Sequence, residues 1–110
     1  MAWKSIYRYA RISPRKVKLI ADLVRGRGVG DALNTLKFTH NRAAGMISKT
    51  LTSAIASASE AEADADSLFV QEIRVDEGPT MKRFHPKDRG RAHSIMKRSS
   101  HIVVVVEQQE

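Results

Sequence analysis

Met81-Lys82-Arg83-Phe84-His85-Pro86-Lys87-Asp88-Arg89-Gly90-Arg91-Ala92-His93-Ser94-Ile95-Met96-Lys97-Arg98 is the stretch on which the reading of this chain turns. It holds seven of the 19 Lys and Arg residues and a single carboxylate, Asp88, so it carries +6 in a protein whose formal total is +7. No apolar period of two or of 3.6 runs through it, so it offers no face to a core. Pro86 and Gly90 oppose a helix. The residues on either side nevertheless read as β-strands, and connections this long are functional or disordered. The expectation is a projecting arm over residues 77–98, ordered by nucleic acid.

Upstream of the arm, residues 68–76 alternate. Phe69, Ile73 and Val75 are expected on one face, and Glu72, Arg74 and Asp76 on the other. Glu77-Gly78-Pro79 then signals a turn or a narrowing, because proline cannot donate to a ladder. Downstream, His101-Ile102-Val103-Val104-Val105-Val106 is the strongest β segment of the chain. Two strands joined by the arm make one hairpin. With about ten extended residues on each side of its tip, the arm would reach roughly 30 Å beyond the sheet.

The rest of the chain supplies the body. In Ala2–Ala10, Trp3, Tyr7 and Tyr9 alternate with Lys4, Arg8 and other residues, which predicts a strand. Its rings are expected to pack under a sheet, with base stacking as the alternative. Ser13-Pro14 starts a helix, Ser as N-cap and Pro at the first helical position. Val17, Ile20 and Val24, joined by Leu19 and Leu23, form its stripe, and Gly26 ends it. Gly30-Asp31 opens a short helix with Ala32, Leu33 and Leu36 on one side, Asp31 suiting the positive end of its dipole. Thr39 is the expected N-cap of the longest helix, in which Ala44, Ile47, Leu51, Ala54, Ile55 and Ala58 keep the 3.6 period. Glu60, Glu62, Asp64 and Asp66 make a solvated acidic linker that lacks the glycine turn and ligand spacing of a calcium loop.

Charge falls in blocks. Residues 1–30 carry +7, residues 31–80 carry −4 and the last twelve −2. Two basic blocks predict a polyanion as partner. Arg11, Arg15, Lys16, Lys18 and Arg25 flank the first helix, whose start is itself an anion site. Gly26-Arg27-Gly28-Val29-Gly30 resembles a phosphate loop but follows a helix where a dinucleotide fingerprint follows a strand, so it reads as a flexible turn with Arg27 available to a phosphate. Within the arm, Lys87, Arg89 and Arg91 are candidates for phosphates or base edges, and Phe84, His85 and His93 for stacking.

The 110 residues suit one domain, 1–110, with one modest core. The absence of cysteine excludes disulfides, thiolate metal sites and cysteine nucleophiles. No apolar run approaches the roughly 20 residues that span a bilayer, and Met1-Ala2-Trp3-Lys4-Ser5-Ile6 lacks the core of a signal peptide, so a cytoplasmic protein is the default. Of the histidines, His40 starts a helix, His101 starts a strand, and His85 and His93 lie in the arm with Asp88 as its only acid, whereas catalytic or zinc chemistry needs His beside a carboxylate orienter or a third ligand. No enzyme, no cofactor, no metal and no membrane partner are expected.

Ile12-Ser13-Pro14-Arg15-Lys16-Val17, Val75-Asp76-Glu77-Gly78-Pro79, Met81-Lys82-Arg83, Gly90-Arg91-Ala92 and Lys97-Arg98-Ser99-Ser100-His101-Ile102 together resemble the bacterial-type L-twenty-two family of large-subunit ribosomal proteins, in register over nearly the whole chain. The resemblance implies an α+β fold of three helices on a small three-stranded antiparallel sheet, with a long protruding basic β-hairpin. It also implies binding of large-subunit ribosomal RNA, help in its assembly, and a hairpin that lines the nascent-polypeptide tunnel beside a loop of the L-four family protein. Carried over by position, Lys82, Arg83, Gly90, Arg91, Lys97 and Arg98 are hairpin RNA contacts or tip-shaping residues, and Ser13, Arg15 and Lys16 contacts of the body. Two departures stand out: Pro86 is followed by Lys87 and Asp88 where the family often has Arg-Ala, and Gly30 stands where a Ser cap is usual. A free DNA- or mRNA-binding regulator is the alternative.

Overall fold

The computed structural model describes residues 2–79 and 98–108, with the backbone alone of 81–87 and 91–97. Among these, β1 (Ala2–Ala10), α1 (Pro14–Val24), α2 (Val29–Lys37) and α3 (Arg42–Glu60) come first. A 3-10 turn at Ala65–Ser67 leads into β2 (Leu68–Glu77), and β3 (Met81–Lys87) and β4 (Arg91–Lys97) precede β5 (Ser100–Gln108). β5 lies between β1 and β2 and is antiparallel to both. The most β-prone segment thus takes the one position in the sheet with a partner on each edge. The fold is α+β, as expected.

One core unites the layers. α3 packs on β1 and β5, α1 on β2, and α2 on α3. Ile47, Leu51, Val17, Val24, Ile102, Val70, Val104 and Val106 are fully buried in it, with Trp3 and Tyr7 partly buried at its margin. α3 achieves this with small side chains: Ala43, Ala44, Ala54 and Ala58 are all buried, which lets its backbone approach the sheet closely.

β3 and β4 form a separate two-stranded ladder in register from Met81↔Lys97 to Lys87↔Arg91. The long axis of the molecule is 64 Å and its radius of gyration 17.0 Å, against about 13 Å for a compact chain of this length. Gly78 N–H donates to Ser99 O at 2.9 Å, the last rung between β2 and β5 on the arm side. Pro79 follows, and the two ladders part there because proline has no N–H to give.

Several expectations are corrected. Leu19 and Leu23 do not join the α1 stripe; they are 67% and 44% exposed, and Ala21 completes it with Val17, Ile20 and Val24. At 100° per residue Leu19 and Leu23 fall on the far side from Val17. α2 begins at Val29, ahead of Gly30 and Asp31, with Gly28 as N-cap. Asn41, not Thr39, caps α3: its Oδ1 accepts from Ala43 N–H at 2.9 Å, while Thr39 donates its hydroxyl back to Thr35 O. Phe69 does not share the buried face with Ile73 and Val75, because the β2–β5 register shifts between Val70 and Glu72 and puts Leu68 and Val70 inward instead. One extra residue in a strand inverts the alternation beyond it. Tyr9 is 62% exposed and stands at φ 56°, outside the alternation that buries Trp3 and Tyr7.

Candidate nucleic-acid interface

The start of α1 is open and free of acids. Ser13 has extended N-cap geometry, yet its hydroxyl makes no capping bond, and the first turn holds no acid. Its carbonyl instead accepts from Lys16 and Val17 N–H at 3.2 and 3.4 Å. Pro14 has no N–H, so the donor free to face a ligand is that of Arg15. Arg11, Arg15, Lys16 and Lys18 are all exposed around this end, and none forms an ion pair among the described residues.

Arg25 and Arg27 are differently placed. Arg25 pairs with Asp22 through Nη1, and its Nη2 donates to Ile73 O at 2.8 Å, which fastens the end of α1 to β2. Arg27 Nη1 lies 3.4 Å from both Asp31 Oδ2 and Thr35 Oγ1, along α2. The glycine turn that carries Arg27 is pinned: Gly26, at φ +83°, donates to Val70 O at 3.0 Å, and Val70 N–H donates to Arg27 O at 2.8 Å. Gly28 extends this by bridging to Phe69. The turn is a clamp on the edge of β2.

Along the arm, Lys82, Arg83 and Lys87 occupy register positions of β3, and Arg91 and Lys97 of β4. The row nearest the connection pairs Lys87 with Arg91. Arg98 is exposed at the arm base. Arg89 and Gly90, and with them Asp88, lie outside the described residues.

Reading the charge by blocks missed one acid-free stretch. Residues 31–80 sum to −4, but all eight acids lie at position 31 or from 60 onward, so residues 32–59 contain Lys37, Arg42, Lys49 and no carboxylate. A count of acids by position, instead of a net sum, would have found it. Among the described residues there is no group of three metal-binding side chains, and no helix is long and apolar enough to cross a membrane.

The family described as "Ribosomal protein L22p/L17e" matches residues 5–107. The chain is 55% identical over 109 residues to "Large ribosomal subunit protein uL22" of Desulfitobacterium hafniense (strain Y51), covering 97% of this chain and 96% of that one. It is 51% identical over 109 residues to the protein of the same name from Maridesulfovibrio salexigens, with 98% and 99% covered. For that of Desulfosudis oleivorans the figures are 50% over 99 residues, with 90% and 87% covered.

Proposed function

The chain belongs to the L22p/L17e family of ribosomal proteins, and on that premise we propose that it is a structural constituent of the large ribosomal subunit that binds large-subunit ribosomal RNA and aids its assembly. It acts in the cytoplasm, within the ribosome. The reading rests on one observation above all: Arg11, Arg15, Lys16 and Lys18 surround an uncapped, acid-free helix start and have no intramolecular ion pairs among the described residues. Cations and N–H groups left in that state suit phosphates supplied from outside. Binding works by neutralising phosphates and releasing their counterions, at the α1 start and along the arm.

The arm serves a second purpose in this proposal. Two strands with basic register positions, standing away from the body, can thread between RNA segments where a globular face cannot. The arm runs inward to line the nascent-polypeptide tunnel, beside a loop of the L-four family protein. RNA is recognised there by shape, 2′-hydroxyls and unpaired bases rather than by a helix in a groove. No catalytic step is assigned to the chain.

The test is sedimentation of tagged protein from a cell lysate through sucrose gradients at moderate and high salt. Persistence in the large-subunit peak at high salt supports the proposal. Residence in the free fractions supports a soluble DNA- or mRNA-binding regulator instead.

A further inference from the structure

Between the end of α2 and the start of α3 runs an open groove of about 600 Å³, lined among others by Leu36, Lys37, His40, Asn41, Ala44 and Gly45. We propose that this groove is a second RNA site, which takes an unpaired nucleotide of the RNA that the body and arm bind through its phosphates; the inference rests on the ribosomal RNA reading above.

Charge comes first. The groove falls in the 28-residue stretch 32–59 that holds no Asp or Glu, and Lys37 and Arg42 form no ion pair among the described residues. Arg25, Arg27 and Arg74, by contrast, each face a carboxylate. A surface that keeps its cations and excludes acids is complementary to a polyanion.

Chemistry narrows the occupant. Leu33 contributes half-buried apolar lining, Leu36 and Ala44 line the groove from buried positions, and His40 and Asn41 contribute polar lining. The Asn41 carboxamide oxygen is already engaged by Ala43 N–H, so its NH₂ group is the end left to donate. A lining that mixes apolar groups with amide and imidazole groups suits the flat face and polar edge of a base, and Lys37 suits its phosphate. Phe38, between the lining residues Lys37 and Thr39, is 77% exposed, a ring outside the core and open to stacking.

Gly45 adds an observation of a different kind. A Cβ there would meet nothing within 4 Å, although at this place, the fourth residue of the 19-residue α3, alanine would favour the helix more than glycine does. No contact among the described residues requires it. A site that must stay clear for an external group gives it a reason.

Gly45 also supplies the test. Gly45→Gln puts a side chain into the groove without a clash in the protein and favours the helix, so the variant folds; Gly45→Ala favours the helix and leaves the groove open. The full chain, labelled with nitrogen-15, is titrated with a short oligouridine, a short RNA duplex and an oligoglutamate, and the amide shifts are followed. The expected result is oligouridine-induced shifts at residues 33–48, with binding there weakened by about fivefold or more in Gly45→Gln and kept in Gly45→Ala. Equal binding to parent and Gly45→Gln overturns the inference, as do equal shifts from oligoglutamate or shifts confined to α1 and the arm. Binding of large-subunit ribosomal RNA by the parent is measured in parallel. If it persists while the groove is silent, only this inference falls; if no RNA binds anywhere, the functional proposal falls with it.

Discussion

Tyr9 N–H donates to Nδ1 of His101 at 3.0 Å, a bond between residues 92 apart in sequence, and the two rings meet edge to face at 4.9 Å. The bond sits where the β1–β5 register shifts between Tyr7 and Ala10. Tyr9 is held at φ 56°, a conformation costly for a residue with a side chain. His101→Ala removes both the acceptor and the ring. The expected loss is about 1–2 kcal/mol, read by urea denaturation, with faster amide exchange at Tyr9. Unchanged stability and unchanged exchange would show that the bulge holds itself.

The base of the arm depends on Gly78 having no side chain. A Cβ there would lie 2.5 Å from Ser99 Oγ and 3.3 Å from His101 Nε2. Ser99 Oγ is not free to swing aside without cost, because it donates to Pro79 O at 2.7 Å. Gly78→Ala is expected to destabilise by about 1–2 kcal/mol. Its coupling to Ser99 is tested by a double-mutant cycle: in a Ser99→Ala background the further change at Gly78 should cost much less. Additive penalties would place the constraint in the backbone instead.

Ser100 is fully buried, and its hydroxyl donates to Ile12 O at 2.6 Å, which ties the first residue of β5 to the turn ahead of α1. Ser100→Ala leaves that carbonyl without its partner in a buried site. The expected cost is about 1–3 kcal/mol by chemical denaturation. Ser99→Ala, at a partly exposed position, should cost less.

What the sequence discloses and what it hides follow from the range of each signal. Strand and helix identity rest on local period, so β1, β2, β5 and the stripe of Val17, Ile20 and Val24 were legible. Phe69 was misplaced because a single extra residue at the Val70/Glu72 shift is decided by pairing with β5, which a local pattern does not contain. Thr39 stood in for Asn41 as the expected cap for the same reason: both residue types can cap, and the backbone selects between them. Among the site residues, the exposure of Arg15 and Lys16 could be read from the α1 period. The engagement of Arg25 with Ile73 could not, since it spans 48 residues.

That difference between arginines gives the sharpest test of the RNA interface. Arg15 and Lys16 are exposed, have no intramolecular ion pair among the described residues and flank an open helix start, whereas Arg25 is bonded to Asp22 and Ile73 O. Arg15→Gln with Lys16→Gln should leave the denaturation midpoint within about 0.5 kcal/mol of the parent. It should also weaken binding to large-subunit ribosomal RNA and lower the slope of log K against log salt by about 1 for each phosphate no longer neutralised. Arg25→Gln should do the reverse. It should destabilise by about 1–2 kcal/mol through removal of the carbonyl bond and change the salt slope little. If Arg25→Gln flattens the slope as much as the double variant, its guanidinium exchanges Asp22 for phosphate on binding, and the two arginine classes collapse into one.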